Sequence, residues 1–313
     1  MRYRYLGNTG LRVSELCFGS LPFSRAHYDI SPEQSAKVIG FAWDMGVNFF
    51  DTADFYDTYA HLKQVAQNED SVIASRSFAF DREGMKRSLE RARLELNRDT
   101  IDIFGLHEQE SALTLKGHRE ALEYLVREKE RGIIRAVCVS THTVDCVRAA
   151  ALLPEVDVIF AILNVEGLGI RGGSRGDMEE ALRFAWECGK GIYIMKALGG
   201  GHLYAHARRA LEYARDFPYK HSVSVGMRDI YEVEFAARIF SGEEPPEEEI
   251  PAGREPRRLV VEDWCERCGR CIETCDFGAL SVGPDGRPVA DASRCVFCGY
   301  CAKACPHFCL KVM

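Results

Sequence analysis

Two cysteine runs near the end of the chain constrain it more than any other feature. From Trp264 the sequence reads Cys265-Glu-Arg-Cys268-Gly-Arg-Cys271-Ile-Glu-Thr-Cys275, and later Cys295-Val-Phe-Cys298-Gly-Tyr-Cys301-Ala-Lys-Ala-Cys305-Pro306. Each run is C-x2-C-x2-C-x3-C. That spacing lets three thiolates hold one corner of an iron–sulfur cube and sends the fourth thiolate to the other cluster. The pattern assigns one [4Fe–4S] cluster to Cys265, Cys268, Cys271 and Cys305, and a second to Cys295, Cys298, Cys301 and Cys275. Zinc sites pair short C-x2-C knuckles across a loop and have no use for a third evenly spaced thiol. A disulfide framework needs an oxidising compartment, which nothing else in the chain supports.

The runs resemble the ligand segments of bacterial two-cluster ferredoxins. One departure is Asp276, which follows Cys275 where that family has proline; the second run keeps Cys305-Pro306. Proline shapes the turn and supplies no ligand, so both clusters are still expected. Cys309 reads as a spare buried thiol. With Cys17, Cys138, Cys146 and Cys188 it makes five cysteines outside the clusters, an odd number that needs a reducing setting. A cytoplasmic, oxygen-poor location is the expectation. The N-terminal Met1-Arg-Tyr-Arg-Tyr-Leu-Gly lacks the apolar core and cleavage site of a signal peptide. A net charge of −7 argues against nucleic acid as a partner, and no apolar run is long enough to span a membrane.

The segment 242–256 is rich in glutamate and proline, the composition of an extended, solvated linker. It separates a first domain, 1–241, from the cluster module, 257–313. In the first domain, short β-branched runs bounded by glycine or polar residues read as strands: Glu15–Ser20, Val47–Thr52, Ser71–Ser75, Ile101–Leu106, Ile134–Ser140, Val156–Leu163, Gly191–Lys196 and Ser222–Gly226. Helical patterns alternate with them. Ser31-Pro-Glu-Gln34 is a capping box with proline at the first helical position. Met85, Leu89, Ala92 and Leu96 share one helical face. Further helices are expected over Glu120–Glu130, Val144–Leu153, Met178–Cys188, Ala207–Ala214 and Asp229–Ile239. Eight β-then-α units predict a parallel (β/α)8 barrel, an α/β fold, followed by a small α+β iron–sulfur domain. An open doubly wound sheet is disfavoured because no G-x-G-x-x-G follows the first strand.

Barrels of this kind place chemistry at the carboxyl ends of their strands. The second strand ends Asp51-Thr-Ala-Asp-Phe-Tyr56, the third reaches Arg76 and the fourth ends at His107. A carboxylate, a phenol, a fixed cation and an imidazole on one rim can deliver a proton to a carbonyl oxygen. A nearby cation is expected to lower the phenol's pKa. This set, with "FDTADFY", "IDIFGLH", "AVCVSTH" and "VGMR", resembles the aldo/keto reductase superfamily, in the branch fused to a two-cluster ferredoxin module. The resemblance implies a catalytic tetrad of Asp51, Tyr56, Arg76 and His107, with Arg76 standing where the family has lysine. Arginine keeps the charge but is planar and effectively never deprotonated.

The resemblance also implies NADP(H). Ser140 and Thr141 follow strand five, where the family holds the nicotinamide amide with Ser and Asn. Asn164 closes strand six. Strand seven leads to Lys196, Leu198, Gly199 and Gly200, a glycine-rich stretch suited to pyrophosphate. Strand eight ends Gly226-Met227-Arg228, with Arg228 in the place of the family's 2′-phosphate contact; the family's adenine-contacting Asn is absent, and Ala236 is the nearest equivalent. The loop 164–174 reads either as a lid or as an ordered surface loop.

Two functions follow. One is a reductase of a small carbonyl compound, coupled to or accompanied by electron transfer through the clusters. The other is an electron-transfer or redox-sensing protein whose barrel is a docking scaffold for a redox partner protein. A flavin is the usual intermediary between hydride and single electrons, and the sequence carries no flavin motif.

Overall fold

The computed structural model describes residues 1–245, 258–307 and 309–312. Most of the expected linker, from residue 246 on, lies outside the described residues. No helix among the described residues is long and apolar enough to cross a membrane.

Eight parallel strands close into a barrel. They are β3 (Leu16–Gly19), β4 (Phe49–Asp51), β5 (Val72–Ser77), β6 (Ile101–Leu106), β7 (Ile134–Thr141), β8 (Val158–Ile162), β9 (Gly191–Met195) and β10 (Ser222–Gly226), with β10 pairing back onto β3. Nearly every residue of these strands is buried, because one side faces the barrel interior and the other faces helices. The interior is aromatic: Phe160 stacks on Tyr193 at 3.9 Å between ring centroids, and Phe49 lies 5.1 Å from Tyr193. A hairpin, β1 (Tyr3–Tyr5) and β2 (Arg12–Ser14), leads into the start of β3, and the Gly7 amide donates to His221 Nε2 just before β10. It therefore covers the end where the strands begin and leaves the opposite end for chemistry.

The helices are α1 (Pro32–Asp44), α2 (Tyr59–Leu62), α3 (Arg82–Leu96), α4 (Ala112–Gly117), α5 (Arg119–Glu130), α6 (Val144–Ala151), α7 (Arg175–Glu187), α8 (Ala207–Asp216) and α9 (Ile230–Ser241). The expected capping box opens α1: Ser31 Oγ accepts from the Gln34 amide and Gln34 Oε1 from the Ser31 amide. Met85, Leu89, Ala92 and Leu96 form the buried face of α3. At α9, Asp229 caps the Glu232 amide, while the Glu232 carboxylate returns to the Arg228 amide.

The cluster module contains two small antiparallel pairs, β11 (Leu259–Val261) with β14 (Leu310–Val312), and β12 (Leu280–Val282) with β13 (Pro288–Ala290). Two short helices, α10 (Arg270–Glu273) and α11 (Tyr300–Ala304), complete it. Its own apolar core is slight, centred on Cys271, Leu280, Ala302, Cys305, Cys309 and Leu310. Domains of this size usually need a covalent or metal staple to hold their fold.

The module sits on the barrel rim where the strands end. His27 Nε2 contacts the Phe297 carbonyl at 3.2 Å, and the Val312 amide donates to the Ala26 carbonyl at 3.1 Å. His202 stacks on Phe297 at 4.6 Å and hydrogen-bonds the Cys295 carbonyl. Glycines permit this approach from both sides. A β-carbon on Gly200 of the barrel would lie 1.9 Å from the Val296 carbonyl oxygen, and one on Gly299 of the module 2.4 Å from His27 Cε1. Gly200→Ala should therefore force the two parts apart, at a cost of about 1–3 kcal/mol. Urea unfolding of the full chain checks this, and unchanged stability would contradict the close approach.

Candidate active site and paired thiol cavities

Strand register builds the rim site. Asp51 at the end of β4 lies opposite Ala74 of β5, and Arg76 is two residues further along β5, on the same side of the strand as Ala74. Its long side chain reaches back to Asp51. Arg76 Nη1 donates to Asp51 Oδ1 at 2.6 Å and to the Thr52 carbonyl at 3.0 Å; Nη2 donates to Asp51 Oδ2 at 3.1 Å and to the Tyr56 hydroxyl at 2.9 Å. One planar fork thus grips the carboxylate with two nitrogens and carries the phenol on one of them, an arrangement beyond the reach of a lysine point charge. His107, beyond β6, meets Tyr56 edge-on with ring centroids 5.7 Å apart. The four expected residues are brought together.

Arginine is only a donor, so the Tyr56 oxygen accepts and its proton is directed elsewhere. Burial opposes the guanidinium charge most strongly, but the Asp51 carboxylate and the Tyr56 and Tyr193 phenols together outweigh it, holding Arg76 well above its ordinary pKa. For Tyr56 the expected depression does not prevail: burial pushes the phenol up to about 12, with Arg76 only opposing that rise.

Sequence reasoning missed four participants. Tyr193, inside the barrel, donates to Asp51 Oδ1 at 3.0 Å. Phe78 stacks on His107 at 4.2 Å. Glu108 follows His107 with φ of 45°, a left-handed conformation that is unusual for glutamate. Tyr300 comes from the cluster module: its hydroxyl donates to Glu108 Oε1 at 2.7 Å and lies 3.3 Å from His107 Nε2. The positive φ at Glu108 has no signature in composition, and Tyr300 is distant in sequence from every residue it meets.

Asp51, Tyr56, Arg76 and His107 line a cavity of about 140 Å³. It continues past Lys196, Leu198, Gly200, Gly226 and Met227 to Arg228 and Ala236, and Phe297 and Tyr300 close it from the module side. Arg228 is held by Glu232 at 3.1 Å and lies over the Tyr28 ring at 4.8 Å. Ser140, Thr141 and Asn164 are buried and do not line this cavity. Ser140 Oγ accepts from the Glu108 amide and Thr141 Oγ1 from the Thr143 amide, while Asn164 bonds both backbone groups of Leu168. Asn164 thereby orders the loop that follows β8.

In the module, Cys265, Cys268, Cys271 and Cys305 line one cavity, and Cys275, Cys295, Cys298 and Cys301 line another. The eight cysteines thus divide between the two cavities in the two groups of four that the exchanged pattern pairs. Cys309 is buried, borders the first cavity and lies 3.2 Å from Cys305 Sγ. No three His, Cys, Asp or Glu side chains among the described residues close on the position of a single metal ion.

Residues 15–223 match the model of the aldo/keto reductase family, and residues 264–309 that of the 4Fe-4S dicluster domain. An L-galactose dehydrogenase of Arabidopsis thaliana is 25% identical over 45% of this chain and 49% of its own length, so the chain spans about half of that relative. A component of the Na(+)-translocating ferredoxin:NAD(+) oxidoreductase complex of Acetobacterium woodii is 43% identical over 42 residues, 13% of each chain. Among solved structures, a Pseudomonas aeruginosa protein assigned to the aldo-keto reductases superposes with a TM-score of 0.66 at 26% identity, covering 77% of this chain and 95% of that one.

Arg76→Met would leave the Asp51 carboxylate buried without its cation. A loss of about 3–5 kcal/mol is expected in denaturant unfolding, and a loss under about 1 kcal/mol would contradict the buried pair.

Proposed function

The chain belongs to the aldo/keto reductase family, and on that premise we propose that it reduces a small carbonyl compound with NADP(H) beneath a module that holds two [4Fe–4S] clusters. The observation that carries this reading is the Tyr56 hydroxyl, which accepts from Arg76 and faces a cavity continuous with Arg228. Bound NADP(H) would supply a hydride to the carbonyl carbon. Tyr56 would give its proton to the oxygen, so that C=O becomes an alcohol. The Arg76 charge would stabilise the phenolate left behind, and His107 would orient the oxygen from the other side. With burial raising the phenol to about 12, the donor stays protonated through neutral and moderately alkaline pH.

For the nucleotide, Leu198, Gly200, Gly226 and Met227 supply the cleft wall, Lys196 adds positive charge and Arg228 would meet a 2′-phosphate. Glu232 competes for Arg228, which tempers the preference over NADH. We assign Ser140, Thr141 and Asn164 to shaping the loops around the nicotinamide end. In the module, the residues present fit the clusters: each expected set of four thiols surrounds its own cavity. Clusters bound there would exchange single electrons.

A second reading, an electron-transfer protein with the barrel as its docking scaffold, is favoured by the Tyr300 hydroxyl at His107 Nε2, where a substrate oxygen would otherwise sit. Calorimetry separates the two: micromolar NADPH binding supports the reductase, and no detectable binding supports the scaffold.

Tyr56→Phe is expected to lower NADPH-dependent carbonyl reduction by about 10²–10⁴-fold, the usual span for a lost general acid; full activity would overturn its role. Because the raised pKa keeps the proton in place, the wild-type rate should show no loss from Tyr56 ionisation below about pH 10. A limb at about pH 8 assigned to this residue would contradict the buried environment. Arg228→Ala should weaken NADPH about tenfold, roughly one charge-assisted contact, and leave NADH nearly unchanged.

A further inference from the structure

The module reaches the catalytic residues through one side chain. Tyr300 lies in the second cysteine run, between Cys298 and Cys301, and begins α11. Its hydroxyl donates to Glu108 Oε1, so its oxygen is left to accept. With the Glu108 carboxylate ionised, the 3.3 Å neighbour His107 Nε2 is then the protonated nitrogen, which sets the imidazole tautomer with its donor toward the cavity. Glu108 is placed for this contact by a left-handed backbone and by the Ser140 hydroxyl behind its amide. Strained backbone of this kind persists where the surroundings over-determine it, and such places cluster at functional sites. The Tyr300 ring is held as firmly as its hydroxyl, edge-on to Phe55 at 4.9 Å and to Phe78 at 6.1 Å. Phe297, on the other side of Cys298, also lines the cavity.

We propose that Tyr300 is an active-site residue supplied by the cluster module: it sets the donor tautomer of His107, closes the cavity over it, and links the barrel site to the segment Cys298–Cys301. The inference rests on the reductase reading of the rim. A substrate oxygen that takes the His107 proton must displace or share the Tyr300 hydroxyl, so occupancy of the barrel is felt one helical turn from two cluster ligands. The cavity bounded by Cys275, Cys295, Cys298 and Cys301 is accordingly the inner one. The other, with exposed Cys268 on its wall, is the outer one, open to an external redox partner.

The experiment uses the full, cluster-loaded chain with Tyr300→Phe, Glu108→Gln, His107→Gln and the Tyr300→Phe/His107→Gln pair. Iron content equal to wild type confirms that each variant is loaded. Electron paramagnetic resonance of the dithionite-reduced protein is the first readout. Tyr300→Phe and the barrel substitution Glu108→Gln should alter the same one of two cluster signals; unchanged spectra in both overturn the proposal, whatever the reductase activity. Benzaldehyde reduction is the second readout. Tyr300→Phe should lower kcat about tenfold with the NADPH dissociation constant within about twofold, and its effect should largely vanish in the His107→Gln background, since coupled residues are not additive. Independent, multiplying effects overturn it. Failure of the wild type to bind NADPH in calorimetry would instead remove the reductase reading, with the resonance spectra still deciding the link between the domains.

Discussion

The buried fork of Arg76 is the interaction on which the site depends. Two of its nitrogens hold Asp51 and one of them carries Tyr56, all buried at the rim of the closed barrel. A carboxylate in such a place is costly without its partner, so the pair is either complete or strongly destabilising. The pair also orders the phenol: an obligate donor behind the Tyr56 oxygen leaves the phenolic proton facing the cavity. Tyr193 adds a third hydrogen bond to the carboxylate from the barrel floor. Geometry that would be mobile with a flexible lysine is thereby tied to three strands.

The module extends this constraint beyond the barrel. Its apolar core is too slight to hold much structure alone, yet it meets the rim at Ala26, His27, His202 and the carboxylate of Glu108. Gly200 meets the Val296 backbone and Gly299 the His27 ring at distances that a β-carbon at either glycine would break. The same glycine-rich loop that borders the rim cavity therefore also receives the module.

Much of this is legible in the sequence because the physics is local. Strand runs, the Ser31 capping box and the apolar face at Met85, Leu89, Ala92 and Leu96 each depend on near neighbours, and each appears as expected. The two groups of four cysteines around separate cavities are readable because the spacing of each run keeps three thiols together and carries the fourth toward the other run. The tetrad is readable because strand ends fall on one rim. What stays hidden depends on distant packing. The net rise of the Tyr56 pKa comes from burial, which outweighs the visible cation. Tyr193 reads as one more barrel aromatic, and Glu108 gains its role only through a left-handed backbone and a partner in the other domain. Ser140 and Asn164 are polar strand-end residues in the sequence, but folding turns them to the loops and away from the cavity.

Iron-edge anomalous diffraction from crystals grown anaerobically with NADP+ tests the composite site most directly. The expected result is one iron cluster within Cys275, Cys295, Cys298 and Cys301 and one within Cys265, Cys268, Cys271 and Cys305, with nucleotide density running from Tyr56 to Arg228 under Tyr300. Iron held within a single unexchanged run, or a barrel whose rim holds no nucleotide and is left uncovered by the module, would contradict it.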